Sequence, residues 1–336
     1  MNILIVKIGA IGDVAMCLPL VSRIKQKHPE ARITWLCGEI AKPLLQRIPE
    51  IDRIISVDEN KLFKGNTAEK VREIFRIWNI FSGASYNETL YFYYSDLYKI
   101  LILPVRKGQI KRFNKNPSVR IRPVPARHHS FEYLSVFEGE STGVTAEISY
   151  PAFILTEEDF RLLQELKDQN NLIALSCGGA KNFLRNDDLR RWPVGHYTRL
   201  AGLLIEKGYS IVLTGAASDA WVSEHFRDVK HHNFIGKLNL PEFVSLLSLC
   251  RMLITHDSGP LHLADIAGIP SFGLFGPTNP GDFRSLHPLS KYHWGGENLS
   301  CRPCYDGRSY APCLSNVCMQ QISPEDVFQE IGSLLF

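Results

Sequence analysis

The sequence has no long apolar run and no marked excess of charge of either sign. No stretch reaches the ~18 consecutive apolar residues of a membrane-spanning helix, which argues against an integral membrane protein. The 38 Lys and Arg residues nearly balance the 35 Asp and Glu residues, and this small net charge does not favour a nucleic-acid partner. The first residues, MNILIVKIGAIGDV, pass from a strand pattern directly into a glycine turn, without the charged segment and cleavage site of a secretory signal. We therefore expect a cytoplasmic protein.

Cysteine is sparse except in one stretch near the C-terminus. Four of the eight cysteines sit singly among apolar or small residues and are interpreted as buried small hydrophobes: Cys17, Cys37, Cys177 and Cys250. The other four form a cluster: Cys301, Cys304, Cys313 and Cys318. Four thiols suit a structural zinc site, although the spacing is not that of a common zinc finger. A cluster of free thiols is the alternative, since a reducing cytosol disfavours disulfides.

The chain is long enough, at 336 residues, to form two domains of ordinary size. Buried strand patterns alternate with helix patterns twice along it, first from Ile3 to Val57 and again from Leu172 to Phe275. This alternation predicts an α/β fold with parallel sheets, because parallel strands are joined by helical crossovers. Residues 86–103 are rich in Tyr, Leu and Ile and are interpreted as a buried helix.

The predicted boundaries divide the chain into two domains and a closing helix. We place an N-terminal domain at residues 1–155 and a C-terminal domain at residues 156–322, with the Cys-rich segment 301–318 inside the second. Ser323-Pro324-Glu325-Asp326 has the form of a capping box, so residues 323–336 are expected to form a helix. Two domains imply a cleft, and parallel sheets bind ligands at the carboxyl ends of their strands.

Basic residues crowd into segment 106–127, which contains no Asp or Glu and is interpreted as irregular. Its cations are Arg106, Lys107, Lys111, Arg112, Lys115, Arg120, Arg122 and Arg127. Such a run is either a solvated loop or a surface for an anionic partner. Phosphorylated lipid or the inner membrane leaflet would suit the second interpretation, and would make the protein peripheral to the inner membrane.

The most informative loop is Thr255-His256-Asp257-Ser258-Gly259-Pro260, which lies between a buried strand pattern and a helix pattern. Backbone N–H groups at a helix start are unpaired and carry partial positive charge, which suits a diphosphate. The alternative is that Asp257 or Ser258 simply caps the helix. Two further strand ends favour the binding interpretation, one at residues 274–280 and one at residues 176–180 followed by Arg190-Arg191-Trp192-Pro193.

Three segments together resemble the glycosyltransferase family 9 heptosyltransferases: LIVKIGAIGDV, LRRWPVGHYTRLAGLLIEKGYSIVLTGAASD and HDSGPLHLADIAGIPSFGLFGPTNP. The resemblance implies a GT-B fold, in which two facing Rossmann-like domains hold the donor in the second and the acceptor in the first. It also implies an inverting transfer of a sugar, here a heptose, from an ADP-sugar donor to a lipopolysaccharide core or related anionic glycolipid. No cofactor or metal is implied for catalysis.

The resemblance also implies roles for individual residues. Asp13 corresponds to the proposed general base, with the N-cap of the following helix as its structural alternative. Arg190 replaces a Lys that is common in relatives, and Asp219 stands where relatives often carry Glu. The other implied donor contacts are Asp257, Ser258, Gly259, His262 and Thr278. Further candidates are Gly12, Gly215 and Lys181, the last of which lies in an insertion.

Two other functions compete with glycosyl transfer. Gly9-Ala10-Ile11-Gly12 resembles the start of a dinucleotide fingerprint, and Glu39 could bond a ribose, as in an NAD-dependent oxidoreductase. The fingerprint lacks its third glycine, which weighs against this class. A non-catalytic sugar-nucleotide-binding protein with the same fold is the other alternative, because fold alone does not prove turnover.

Overall fold

The computed structural model describes residues 1–93, 96–113, 127–139, 148–180, 187–305 and 310–335. Two compact units divide the chain at Ile154, unit 1 covering Met1–Ile154 and unit 2 covering Leu155–Phe336. No helix in these described ranges is long and apolar enough to cross a membrane. The two units are built alike, each around one parallel β-sheet.

The described part of unit 1 contains a five-stranded parallel sheet in the order β3-β2-β1-β4-β5. Its strands are β1 (Asn2–Val6), β2 (Arg32–Gly38), β3 (Arg53–Val57), β4 (Ser85–Tyr91) and β5 (Arg106–Arg112). Its α-helices are α1 (Ile11–Cys17), α2 (Pro19–Lys27), α3 (Lys42–Leu45), α4 (Thr67–Ile80) and α5 (His129–Glu138). A π-helical turn spans Asn60–Lys64, and a 3₁₀ helix spans Leu97–Ile102.

Both faces of the unit 1 sheet are covered. Leu4 and Val6 of β1 share one core cluster with Ile77 of α4 and Leu101 of the 97–102 helix. The alternate residue Ile5 points to the opposite face and is also fully buried. A parallel sheet covered on both sides explains why β1 is a continuous apolar run.

The residues of unit 2 that the structure describes form a six-stranded parallel sheet in the order β11-β10-β9-β6-β7-β8. Its strands are β6 (Leu172–Ser176), β7 (Ser210–Thr214), β8 (His232–Asn233), β9 (Met252–His256), β10 (Ser271–Phe275) and β11 (Lys291–Trp294). Its α-helices are α6 (Val194–Glu206), α7 (Val222–His225), α8 (Leu240–Ser248), α9 (Gly259–Ala267), α10 (Pro280–Phe283), α11 (Val317–Gln320) and α12 (Pro324–Leu335). The 3₁₀ helices are Glu157–Leu166, Asp188–Arg190 and Ala217–Asp219.

The C-terminal helix α12 packs on α6 and closes the core of unit 2. Val327 and Ile331 belong to the same buried cluster as Leu200 and Leu204 of α6. At the helix start, the Asp326 backbone N–H donates to Ser323 Oγ over 3.1 Å, and Ser323 Oγ donates to the Asp326 carboxylate over 2.5 Å. Ser323 therefore caps the helix, and the Asp326 carboxylate returns to the Ser323 hydroxyl; the bond from the Ser323 backbone N–H that completes a capping box stays a prediction.

Each sheet reverses its strand order at one place. In unit 1 the reversal falls between β1 and β4, and in unit 2 it falls between β6 and β9. In open parallel sheets, ligands bind in the crevice at the carboxyl ends of the two strands that flank this reversal. The loop after β1 leads to Asp13 in the first turn of α1, and the loop after β9 carries Asp257. The topology therefore puts both motif loops where ligands bind.

The prediction of a buried helix over residues 86–103 is wrong. The segment forms strand β4, which pairs with β1 and β5, and then the separate 97–102 helix. Aromatic and β-branched residues suit a central strand, and the pairing partners that decide between helix and strand come from distant parts of the chain. The segment after β1 forms two short helices, α1 and α2, and Pro19 is the first residue of the second.

The interpretation of segment 106–127 as irregular is wrong for its first part, since residues 106–112 form the edge strand β5. Carboxylates from other segments also neutralise several of its cations. Lys111 pairs with Glu88 over 3.0 Å, and Arg112 pairs with Asp96 over 2.7 Å. Lys115, Arg120 and Arg122 lie outside the described residues.

Candidate functional site

Three contacts fix the carboxylate of Asp13 at the carboxyl end of β1. Lys7 Nζ lies 3.2 Å from Asp13 Oδ2, and the Ala10 backbone N–H donates to the same oxygen over 3.3 Å. The Tyr133 hydroxyl of α5 donates to Oδ1 over 3.3 Å. Asp13 is thus the third residue of α1, not its N-cap, and reaches back to Ala10. Its side chain remains 33% exposed, so a substrate hydroxyl could reach it.

Lys7 is the buried partner that sequence reasoning overlooked. It interrupts the apolar run of β1 and is only 5% exposed. Its ammonium lies 5.0 Å from the ring centre of Tyr93 and 5.4 Å from that of Tyr133, which adds two cation–π contacts to the Asp13 pair. A lysine that directly follows a buried strand, inside an apolar run, was the available signal, because such a group must find a charged partner.

These neighbours set the charge of Asp13. Burial alone would raise the pKa of Asp13, but the positive charges of Lys7 and His129 and the hydrogen bonds from Lys7 and Ala10 outweigh it and lower the pKa below its usual value. Asp13 is therefore ionised at neutral pH. An ionised carboxylate that solvent can reach is suited to accept a proton.

Tyr93, which follows β4, fixes the loop that leads to Asp13. Its hydroxyl oxygen accepts hydrogen bonds from the backbone N–H groups of Ile8 at 2.6 Å and Gly9 at 3.3 Å. The loop after β1 is therefore bonded to the loop after β4, the other strand at the reversal. Gly12 is the second residue of α1, directly before Asp13.

A second carboxyl group, Glu59, lies under the same loop and was not predicted. It follows β3 and is 8% exposed, and its Oε2 has no hydrogen-bond partner among the described residues. A Cβ on Gly9 would come within 3.3 Å of Glu59 Oε1, and a Cβ on Gly38 would overlap the carboxyl. Burial, together with the charges of Glu39 and Asp58, raises the pKa of Glu59 to about 7.

In unit 2, Asp257 brings together three elements at the carboxyl end of β9. Its Oδ2 accepts a hydrogen bond from Thr278 Oγ1 over 2.8 Å and lies 3.4 Å from Arg190 Nη1. Arg190 also pairs with Asp187 over 3.2 Å, a partner that sequence reasoning did not identify. The structure therefore groups three of the predicted donor residues, Arg190, Asp257 and Thr278, around one carboxylate.

The start of helix α9 is not capped by a side chain of the preceding loop. Ser258 occupies the N-cap position without a side-chain cap bond, and its hydroxyl donates to the His256 carbonyl oxygen over 3.1 Å. The Asp257 carboxylate is directed to Thr278 and Arg190 instead. The capping alternative is therefore wrong, and α9 begins at Gly259 without a side-chain cap, although Pro260 has no N–H and the Leu261 N–H donates to the Ser258 carbonyl oxygen over 3.1 Å.

Asp219 holds two turns of unit 2 together. Its Oδ1 accepts from the Gly179 backbone N–H over 3.0 Å, and its Oδ2 accepts from the Ala216 backbone N–H over 2.9 Å. A Cβ on Gly215 would lie 2.9 Å from the same carboxylate, and a Cβ on Gly178 would overlap it. These contacts explain the glycines of both turns, while a contact of Asp219 with donor stays a prediction.

Two histidines lie inside unit 2 near the donor loop. His262 is 1% exposed within α9. His256 is fully buried with its Nδ1 3.1 Å from the Tyr197 hydroxyl. Burial, and then the charges of Arg190 and Arg191, lower the pKa of His256 to about 3, so it is neutral. Lys181 lies outside the described residues.

The Cys-rich segment is bonded to the donor loops. The backbone N–H groups of Cys304 and Tyr305 both donate to the Pro277 carbonyl oxygen over 3.1 Å, directly before Thr278. On the other side, Asn316 Nδ2 donates to the Arg191 carbonyl oxygen over 2.7 Å and to that of Leu189 over 3.2 Å. The segment therefore ties the Arg190 loop to the Thr278 loop.

The four thiols have the right chemistry for zinc but not the arrangement. All four are free, with Cys301 and Cys313 exposed and Cys304 and Cys318 partly buried. Within residues 187–305 and 310–335, as in the rest of the described chain, no three His, Cys, Asp or Glu side chains converge on a metal position. The metal clip therefore stays a prediction.

Comparisons with known proteins agree on one family. The model of glycosyltransferase family 9 (heptosyltransferase) matches residues 106–314. Lipooligosaccharide heptosyltransferase 2 of Haemophilus influenzae is 28% identical over 83% of this chain and 84% of its own length. The protein of that name from Haemophilus ducreyi is 28% identical over 100% of this chain and 99% of its own.

A solved structure shares the fold. The E. coli ADP-heptose lipopolysaccharide heptosyltransferase II superimposes with a TM-score of 0.76 at 20% identity, over 100% of this chain and 98% of that one. The predicted GT-B fold is confirmed, and the oxidoreductase alternative is not favoured.

Replacing Glu59 should change how stability depends on pH. Because its pKa is raised in the folded chain, the fold binds a proton more tightly than the unfolded chain and loses stability as pH rises toward 7 and above. Glu59→Gln should remove this loss, which is at most ~3 kcal/mol between pH 5 and pH 8. Urea unfolding at both pH values measures it, with the exposed Glu30→Gln as control. Equal pH dependence in wild type and Glu59→Gln would contradict the assignment.

The metal clip is tested by elemental analysis of protein purified under reducing conditions. If the clip exists, wild type and Cys250→Ala carry about one zinc or iron per chain. Cys304→Ser does not, because a four-thiolate site loses most of its metal affinity when one thiolate is removed. Cys250 is buried outside the cluster and serves as control. Metal-free wild type with four titratable thiols in the segment would rule the clip out.

Proposed function

The chain belongs to glycosyltransferase family 9, and we propose that it transfers a heptose from ADP-heptose to the core of a lipopolysaccharide or related glycolipid. The sugar and acceptor come from its relatives, which are named lipooligosaccharide and lipopolysaccharide heptosyltransferases. The choice of ADP as the nucleotide rests on solved structures of E. coli heptosyltransferases, which are named for ADP-heptose in one case and contain ADP in another. The observation that carries the proposal is the ionised, partly exposed Asp13 at the strand-order reversal of unit 1.

Asp13 is the general base in this proposal. It takes the proton of the acceptor hydroxyl as that oxygen attacks the anomeric carbon, while the bond from that carbon to the ADP oxygen breaks. The attack comes from the face opposite the leaving group, so the configuration inverts. Lys7 keeps Asp13 ionised before the reaction, and Tyr133 holds its other oxygen in place. The proton ends on Asp13, from which water removes it after turnover.

Unit 2 holds the donor in this proposal. ADP gains negative charge as its bond to the sugar breaks, and the uncapped start of α9 and the Arg190 guanidinium are positioned to stabilise that charge. Asp257 and Thr278 hold Arg190 and the neighbouring loop in position, and Asp219 fixes the two turns beside them. With these donors, the departure of ADP needs no metal ion.

The activity is tested by ADP release from ADP-heptose in the presence of a lipopolysaccharide-core acceptor. We expect acceptor-dependent release by wild type, and a loss of ~10²–10⁴ in kcat/KM for Asp13→Asn with unchanged affinity for ADP, because the amide cannot accept the proton. Equal rates for wild type and variant would remove Asp13 from the role of base. Donor binding without any turnover would favour the non-catalytic alternative.

Arg190→Met tests the donor site, whereas Asp13→Asn tests the general base. Because it removes a charge next to the proposed diphosphate site and leaves Asp13 untouched, it should weaken ADP binding by about ten- to a hundredfold, as measured by calorimetry. ADP affinity equal to that of wild type would place the diphosphate elsewhere.

A further inference from the structure

Helix α4 and the 97–102 helix lie side by side on the same face of the unit 1 sheet. Ile77 of α4 belongs to one buried cluster with Tyr98, Leu101 and Ile102. Trp78 Nε1 donates to the Ile100 carbonyl oxygen over 2.6 Å and bonds the two helices together. The inner sides of both helices therefore pack in the core, and their outer sides form one continuous surface.

This shared outer surface is apolar. In a 3₁₀ helix, residues three apart lie on one line, and Leu97, Ile100 and Leu103 follow that spacing. Leu97 is 64% exposed and Leu103 is 58% exposed. On α4, Phe75 is 59% exposed, and Val71 lies one turn before it. Five large apolar side chains thus lie exposed on two bonded helices, which is more than scattered surface residues explain.

The charges around this patch are predominantly positive. Arg72 and Arg106 are exposed beside it, and Lys107 Nζ lies 3.4 Å from the Leu103 carbonyl oxygen. Burial and the nearby charge of Lys99 lower the pKa of Lys107, which places these two cations in the same neighbourhood. The exposed carboxylate of Asp96, which precedes the 97–102 helix, pairs with both Lys99 and Arg112.

The acidic residues of α4 do not offset this charge. Glu69 accepts the Asn66 backbone N–H over 2.8 Å in the capping box of the helix. Glu73 is buried, and it accepts from Arg76 Nε over 2.8 Å and from the Asp58 backbone N–H over 2.8 Å. The outer side of α4 therefore presents Val71, Arg72 and Phe75 to the solvent without an exposed carboxylate of its own.

We propose that this α4 and 97–102 surface docks the protein onto an anionic phospholipid bilayer. Phe75, Leu97 and Leu103 enter the interface between headgroups and acyl chains, and Arg72, Arg106 and Lys107 meet the lipid phosphates. This surface takes only the first two cations of segment 106–127, because Lys111, Arg112 and Arg127 already have carboxylate partners.

Two considerations favour a bilayer over other occupants. A second copy of the chain bound symmetrically through this surface would bring the same cations against each other, which opposes association. An anionic leaflet complements both the apolar stripe and the cations. The choice also rests in part on the proposed glycolipid acceptor, and for that reason the test uses neither donor nor acceptor.

The test is cosedimentation with vesicles of phosphatidylethanolamine and phosphatidylglycerol, against vesicles of phosphatidylcholine alone. We expect wild type to bind the anionic vesicles and to be released by salt. The double variant Phe75→Ser/Leu103→Ser should bind at least about tenfold more weakly, because two apolar side chains no longer enter the interface. Arg72→Glu should weaken binding mainly at low salt.

The matched control is Leu162→Ser/Leu289→Ser, which removes two exposed apolar side chains of unit 2 and should bind as wild type does. Circular dichroism and thermal unfolding of every variant verify the fold without reference to transferase activity. Equal binding of wild type to both kinds of vesicle, or undiminished binding by Phe75→Ser/Leu103→Ser, would overturn the proposal. A wild-type dimer that the double variant converts to monomer would also overturn it, by assigning the surface to a second copy.

Discussion

The side chain of Lys7 enters the interior of unit 1 as a charged group, and that burial has to be compensated. Its compensation is the Asp13 carboxylate at 3.2 Å, together with the rings of Tyr93 and Tyr133. A buried ion pair of this kind contributes little net free energy to folding. Removing one partner strongly destabilises the fold, because the other charge is then buried without compensation. The positions of Lys7 and Asp13 are therefore strongly constrained. The loop after β1, the loop after β4 and helix α5 all depend on this one pair.

In unit 2, two carboxylates fix the loops at the carboxyl ends of the strands. Asp219 accepts two backbone N–H groups from separate turns, and Asp257 accepts the Thr278 hydroxyl beside Arg190. Neither carboxylate caps α9, so the start of this helix, at the strand-order reversal, carries no side-chain cap. In both units a side chain from one loop also fixes a second loop: Tyr93 bonds the loop after β1, and Asp219 bonds the turn at Gly179.

The residues with a local signal were predictable from sequence. The loop from Asp257 to Gly259 could be placed because a buried strand, a glycine and a helix follow one another there, and Asp13 because its motif is shared with a family. The N-cap at Ser323 is local as well. Residues whose role depends on distant partners were not predictable in the same way. Strand β4 was mistaken for a helix because only its pairing with β1 and β5 distinguishes the two.

Charge compensation between distant segments was the least accessible feature. The cations at Lys111 and Arg112 looked unopposed in sequence, but Glu88 and Asp96 reach them from outside the run. Glu59 gave no signal, because the glycines that make room for its carboxyl stand 50 and 21 residues before it, at Gly9 and Gly38. Such groups are found only when the folded chain brings them together.

The pKa of the Asp13 carboxyl, measured by ¹³C NMR in aspartate-labelled protein and assigned with Asp13→Asn, tests most directly whether Lys7 controls this site. We expect a value below that of an ordinary aspartate in wild type, since Lys7 and the other nearby charges and hydrogen bonds together outweigh burial, and a higher value in Lys7→Met. A wild-type pKa at or above the ordinary value, or one that Lys7→Met leaves unchanged, would contradict this expectation.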